Sequence, residues 1–314
     1  MQQRKRQNPC IVGRPDGGLA GWFRRNPHFR FTAPAMTVLV LLSILPTIFL
    51  IIVSFTNYQL GWKFSRATFQ GFNNFTRLFE GRDRDFWHAI LISMEFMVLS
   101  TTIEMVFGFA VALLLNAFEF KFKAVIVGIL MIPLAMTPTI AGQMWKLMLN
   151  AEYGLINYFL DMLFNVRISW LSNEYAFLSI LIVDVWQFMP FIALIIYAGL
   201  RSLPHEPFEA ARIDGASRFQ TLAYITVPML RKLIFLAFLL RAIDALKLFD
   251  TAFVLTQGGP GNTTSFLSLH VYRLVYATNG LIGRGAAVAI ILLIIVNLVS
   301  TGLIRIQRKG LNEL

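Results

Sequence analysis

The feature that most constrains this chain is a set of apolar runs too long for the core of a soluble protein. Residues 31–55 and 285–304 contain no charged side chain. A helix needs roughly 20 apolar residues to cross about 30 Å of hydrocarbon. Four further runs have similar length with a few polar interruptions: 89–115 with Glu95 and Glu104, 125–149 with Pro133, Pro138 and Lys146, 176–200 with Asp184 and Pro190, and 233–255 with four charges. These lengths argue against a soluble α/β protein with a rich core. The reading is an all-α membrane protein, a bundle of six transmembrane helices over 31–304. A basic segment over 1–30 precedes it and a tail over 305–314 follows.

The first run exceeds the core of a signal peptide, and no small-x-small site follows it, so it is expected to remain as an anchor. Six spans put both termini on one side, and the basic residues choose the side. With cytoplasmic termini, the inner segments hold Arg4, Lys5, Arg6, Arg14, Arg24, Arg25 and Arg30, then Lys121 and Lys123. They also hold Arg201, Arg212, Arg218, Arg231 and Lys232, and at the end Arg305, Arg308 and Lys309. The outer segments hold fewer, among them Lys63, Arg66, Arg77, Arg82, Arg84, Arg167 and Arg273. This asymmetry explains the formal net charge of +11 without a nucleic-acid partner. The basic first segment is expected either to lie against anionic lipid headgroups or to be disordered. Trp62, Trp87 and Trp170 stand near span ends, as an interfacial aromatic belt would place them. Asn74 and Asn262 head glycosylation-like triplets, a pattern common by chance.

Most chemistry is excluded. Cys10 is the sole cysteine, so no intrachain disulfide can form. His28, His88, His205 and His270 are scattered and lack metal-ligand spacing. No glycine-rich phosphate loop is present, nor an HExxH or GxSxG motif, so a membrane enzyme has no support. Glu95 and Glu104 are nine residues apart, on opposite faces of a helix, and are not a paired acid and base.

A charge at mid-membrane costs at least about 2.5–3.5 kcal/mol on insertion scales. The fifth run nevertheless carries Arg241, Asp244, Lys247 and Asp250, each three residues after the last. Neighbours at that spacing touch on a helix. The row reads either as a self-paired ladder that fixes the helix, or as the lining of a polar path for a polyhydroxy solute. Gln143 and Lys146 in the third run, and Asp184 and Gln187 in the fourth, are further candidates for such a path. Pro133, Pro138 and Pro190 are expected to kink their spans, or to break them near a site.

Between the fourth and fifth runs, the loop over 201–232 contains EAARIDGASRFQTLAYITVP, residues 209–228. Acidic Glu206 and Glu209 with Pro207 suit a helix start. Phe208, Ala211 and Ile213 offer apolar contacts, and Gly215 suggests a bend before a second helical piece from Arg218 towards Ile225, with Pro228 marking the entry to the fifth run. The physical reading is a bent helical element, either gripped by a partner or resting on the membrane surface.

This stretch resembles the EAA loop of the membrane subunits of binding-protein-dependent ABC importers. Glu209, Ala210 and Ala211 are followed at the family spacing by Gly215, Ile225 and Pro228, and Asp214-Gly215-Ala216 matches a common variant. Val227 replaces the usual leucine. A second stretch, FDTAFVLTQGGPGNTT over 249–264, is similar to one in maltose-type carbohydrate importers, with Phe253 for the usual tyrosine. SFTNYQL and GFNNFTRLF, over 54–60 and 71–79, look like the same subfamily. The resemblance implies the type I importer fold with Glu209, Ala210, Ala211, Asp214, Gly215 and Ala216 in a coupling helix. It also implies a second, different permease, two ATPase subunits that bind ATP and Mg, and an extracytoplasmic solute-binding protein. This chain would bind no cofactor itself. The location implied is the cytoplasmic (inner) membrane of a bacterium or archaeon. The rival is a secondary transporter or channel driven by an ion gradient, with the intramembrane acids as proton sites.

Overall fold

The computed structural model describes residues 27–81, 83–117, 121–277 and 280–312, with side chains from 32 to 308. The basic segment over 1–26 and the two last residues lie outside this range, as do the expectations made for them. The chain divides into two units, Met1–Ile52 and Val53–Leu314.

Helix α1 spans Pro27–Ser54, with Pro34 and Pro46 inside it. Its few polar side chains are satisfied locally, as hydrocarbon demands. Thr37, Ser43 and Thr47 donate to the carbonyls four residues back, at 2.8, 2.7 and 2.7 Å. Such back-bonding lets hydroxyls sit in an apolar span without an orphaned donor.

The second unit is built on two long helices packed along each other. After the short α2, Asn73–Phe79, comes α3, Arg84–Ala117. Asp83 caps it by accepting from the Phe86 N–H at 3.2 Å. Its neighbour α7 spans Ala176–Arg201. Small residues permit the close approach. A Cβ on Gly108 would come within 2.7 Å of Ile192 Cβ and 3.1 Å of the Ala193 nitrogen. Such small-residue contacts are how helices associate where lipid removes the hydrophobic drive. Gly108→Leu is expected to force α3 and α7 apart, at a cost of about 1–3 kcal/mol or more. A fall in the melting midpoint of the purified protein checks it.

The third run takes the second of the two forms its prolines allowed, a break rather than a kink. Helix α4, Lys123–Ala135, and α5, Pro138–Met148, meet at a bend of 96°. The cause is local. Pro138 drives Thr137 to an extended backbone (ψ 144°), Met136 is extended too (ψ 142°), and the Thr137 hydroxyl then caps α5. The carbonyl of Met136 left at the break accepts from Gln187 Nε2 at 3.0 Å. Among the described residues, five helices are long and apolar enough to span a membrane, six when this bent pair counts as one.

Helix α6, Leu155–Phe164, follows α5. It is held by Asn157, whose amide donates to the carbonyls of Asn150, Ala151 and Ile168 and accepts from Ile168 N–H and Trp170 Nε1. Beyond α7, the polar loop forms α8, Glu206–Ile213, and α9, Arg218–Thr221. A widened turn over 222–226 leads into α10, Val227–Leu246. Pro228 has no N–H for the carbonyl four back and its ring crowds that carbonyl, and the widened turn, with Val227 N–H on the Leu222 carbonyl, accommodates it.

The expected fifth span over 233–255 also differs. The helix ends at Leu246, and α11, Asp250–Leu255, is a separate turn and a half packed against α5. Lys146 Nζ donates to the Val254 carbonyl at 2.9 Å, which ties the two short helices together. The Gly-Gly-Pro segment then folds back on the start of α3: Asn262 donates to Asp85 at 2.7 Å and its carbonyl stands 2.9 Å from His88 Nε2. Helix α12, Leu267–Tyr272, and α13, Ile282–Asn312, complete the unit. Phe96 packs edge-on against Phe177 and Phe266, at 5.8 and 5.1 Å between ring centres. Asn74 is buried, its amide held by the Ser54 and Thr56 carbonyls at 2.8 Å each, so its glycosylation-like triplet is closed off by the fold.

One titrating contact links these segments outside the spans. His270 Nε2 stands 3.3 Å from Asp83 Oδ2. The His270 ring holds the Asp83 carboxyl below the usual carboxylate range, against the opposing effect of partial burial. A lowered carboxyl pKa stabilises the fold above its ordinary value, and that contribution is lost as pH falls through the lowered one. Asp83→Asn is therefore expected to flatten the acid side of a stability–pH profile measured by thermal melts.

Candidate functional site

Two places carry the polar chemistry. The first is the loop between α7 and α10. Helix α8 ends in a left-handed Gly215, φ +73°. The Ala216 N–H reaches the Ala211 carbonyl at 2.9 Å and the Gly215 N–H reaches that of Arg212 at 3.2 Å. This double bond pattern is the glycine-terminated helix stop, and only glycine takes that backbone without strain. Ser217 immediately starts the next helix through reciprocal bonds with Gln220, at 3.2 and 2.8 Å. A helix stop and a helix start therefore face each other across two residues, which makes a rigid elbow.

The elbow has two faces. Ala211 is buried and Phe208 half-buried. Phe208, Arg212 and Ala216 line a cleft of about 540 Å³ with Leu113 and Asn116 from the end of α3. Glu209, Ala210, Asp214 and Gly215 are exposed. Ile213 was expected to make an apolar contact, but it is 87% exposed, with Phe219 at 76% and Tyr224 at 78%. The acidic helix start therefore stands beside uncovered apolar side chains, an unpartnered face within the described residues.

The second place is inside the spans. Of the ladder expected along the fifth run only the Asp244–Lys247 rung forms, because the helix ends at Leu246 and Asp250 begins α11. Arg241 reaches across to two other helices instead. Its Nε and Nη2 donate to both oxygens of Glu104 on α3, at 2.5 and 2.7 Å, and Nη2 also donates to Asp184 on α7 at 2.7 Å. The guanidinium lies 4.3 Å from the centre of the Phe188 ring. Exposure of the three charged side chains is 2%, 0% and 1%, so the cluster is sealed from solvent. The Oδ1 atom of Asp184 is buried with no partner.

The remaining candidates fall elsewhere. Gln187 serves the Met136 carbonyl at the bend of the third run. Asp244 and Lys247 form a local pair at 3.3 Å, each at least half exposed, which is worth about 0–1 kcal/mol. Gln143 and Asp250 are exposed on the paired helices α5 and α11. Glu104 is the member of this cluster that the sequence reading did not place among the path candidates. The signal was available: an acid isolated in an apolar span needs a basic partner, and the fifth run held one.

Comparison with known proteins decides the class. Residues 15–313 match the family described as the inner membrane component of binding-protein-dependent transport systems. The chain belongs to this family. This permease is 38% identical over 229 residues to the trehalose/maltose transport system permease protein of Thermococcus litoralis, covering 73% of this chain and 76% of that one. It is 31% identical over 277 residues to the sulfoquinovosyl glycerol transport system permease protein of Agrobacterium fabrum, covering 88% of each. A crystal structure of a bacterial alginate ABC transporter, in complex with its alginate pentasaccharide-bound periplasmic protein, shares the fold. The TM-score is 0.80 at 20% identity, over 93% of this chain and 97% of that one. The permease is thus a multi-pass membrane component of a transport system, and its role is transport rather than catalysis.

Proposed function

We infer that this permease forms half of the translocation path of a carbohydrate ABC importer, with both termini cytoplasmic. The observation that carries the coupling role is the exposed face of the α8 elbow. Glu209, Ala210, Asp214 and Gly215 are exposed there, while Ala211 is buried. That face docks an ATPase subunit, where ATP and Mg are bound, and this chain holds no cofactor of its own. A second, different permease completes the path, and a solute-binding protein delivers the cargo to the opposite side. Gln143, Asp244, Lys247 and Asp250 are the polar side chains available to line the path. Asp184, Gln187 and Arg241 are already engaged within the protein.

The carbohydrate assignment is supported by relatives named for trehalose/maltose and sulfoquinovosyl glycerol. A thermal-shift screen of the cognate binding protein tests it. Sugars or sugar derivatives are expected to raise its melting midpoint. Stabilisation by amino acids alone would contradict the assignment.

A further inference from the structure

The cluster at Arg241 joins three helices that the coupling reading must move. Helix α10 is continuous with the second half of the elbow: Arg218–Leu246 passes as one 29-residue helical stretch. Arg241 sits 23 residues along it, about 35 Å from its start at 1.5 Å per residue. The helix is packed tightly on the way. Leu230 and Ala237 are buried with Ile192, Ile196 and Leu200 of α7, and a Cβ on Gly199 would come within 2.3 Å of Leu233. A displacement at the elbow therefore arrives at Arg241 as motion of a stiff rod.

What it meets there is uneven. Glu104 is gripped by two donors of the fork, Asp184 by one corner only, and the second Asp184 oxygen has no partner. Stability alone does not call for such a cluster, since buried ion groups replaced together by apolar residues of similar volume leave proteins as stable or more so. One base shared unequally by two acids suits exchange: a small shift of α10 keeps the Glu104 grip and releases the Asp184 corner. We propose that Arg241 is a positioning residue of transport. It registers the position of the elbow against α3 and α7 by making or breaking its bond to Asp184. This rests on the reading that the elbow docks the ATPase.

The test uses the assembled transporter with its ATPase, second permease and binding protein in proteoliposomes, and reads solute imported per ATP hydrolysed. The triple variant E104M/D184V/R241M removes every charge of the cluster. It is expected to assemble and hydrolyse ATP, yet lose the import-to-hydrolysis ratio by about tenfold, within the range of coupling between sites. R241K keeps the charge but, as a single compact ammonium, cannot grip Glu104 and Asp184 as the fork does. It is expected to lower the ratio in the same direction, and it decides the question if the triple variant does not assemble. A wild-type ratio in an assembled triple variant, or in R241K, overturns the proposal and leaves the cluster structural. Glu209→Lys measured in parallel separates the two readings. Normal coupling there removes the elbow reading itself, whereas coupling lost there but intact in the cluster variants removes only this proposal.

Discussion

Glu209→Lys is expected to abolish solute import while leaving the spans folded. Glu209 is exposed on the free face of α8. It also sits in the first turn of a helix, where an acid is favoured and a lysine is opposed by the helix dipole. That opposition is worth about 0.3–1 kcal/mol and is confined to this short exposed helix, so the loss should appear chiefly at the partner interface. The expected readout is import reduced at least about tenfold, the scale of site-to-site coupling. ATPase activity should no longer respond to the loaded binding protein, and the melting midpoint should fall only slightly. Gly215→Val should do the same by another route. A Cβ there meets no atom within 4 Å, so the damage is purely backbone: φ +73° costs an L residue about 1–2 kcal/mol. The elbow relaxes that strain by opening, and the free face turns away from its partner.

Arg241→Met is expected to act through folding. It strips the only base from a site where Glu104 and Asp184 are both sealed from solvent. Breaking a buried pair by removing one partner costs about 3–5 kcal/mol, because the orphaned charge has nowhere to go. The loss of the contact with the Phe188 ring adds to this. The single variant should yield little folded protein on detergent extraction. Pairing it with Glu104→Gln and Asp184→Asn should restore much of that yield. Failure of the neutralised combination to recover would place the damage in packing around Arg241 rather than in charge.

The particular residues show what was legible in the sequence. Long apolar helices were readable because a chain in hydrocarbon must satisfy its backbone groups internally, so uncharged runs such as 285–304 declare themselves. The elbow was readable because its signals are local: acids and a proline at the helix start, a glycine at the bend, and a proline at 228, whereas the Ser217–Gln220 start emerged only from the fold. The breaks were harder. Pro133 and Pro138 announced an interruption, but its size depends on Met136 and Thr137 both turning extended and on Gln187 arriving from α7 to take the freed carbonyl. The end of α10 at Leu246 was hidden, because charges three apart look like a continuous helical row whether or not the helix persists. The pairing of Arg241 was hidden for the same reason in reverse. Its partners lie 137 and 57 residues away in the chain, and only packing brings them together.

The most direct measurement of the central claim is solute uptake into proteoliposomes under two conditions. In one, this chain is present alone under an imposed ion gradient. In the other, it is assembled with its second permease, ATPase subunits and loaded binding protein, with ATP. The account predicts no uptake in the first and ATP-dependent uptake in the second. Gradient-driven uptake by the chain alone, without ATP or binding protein, would contradict it.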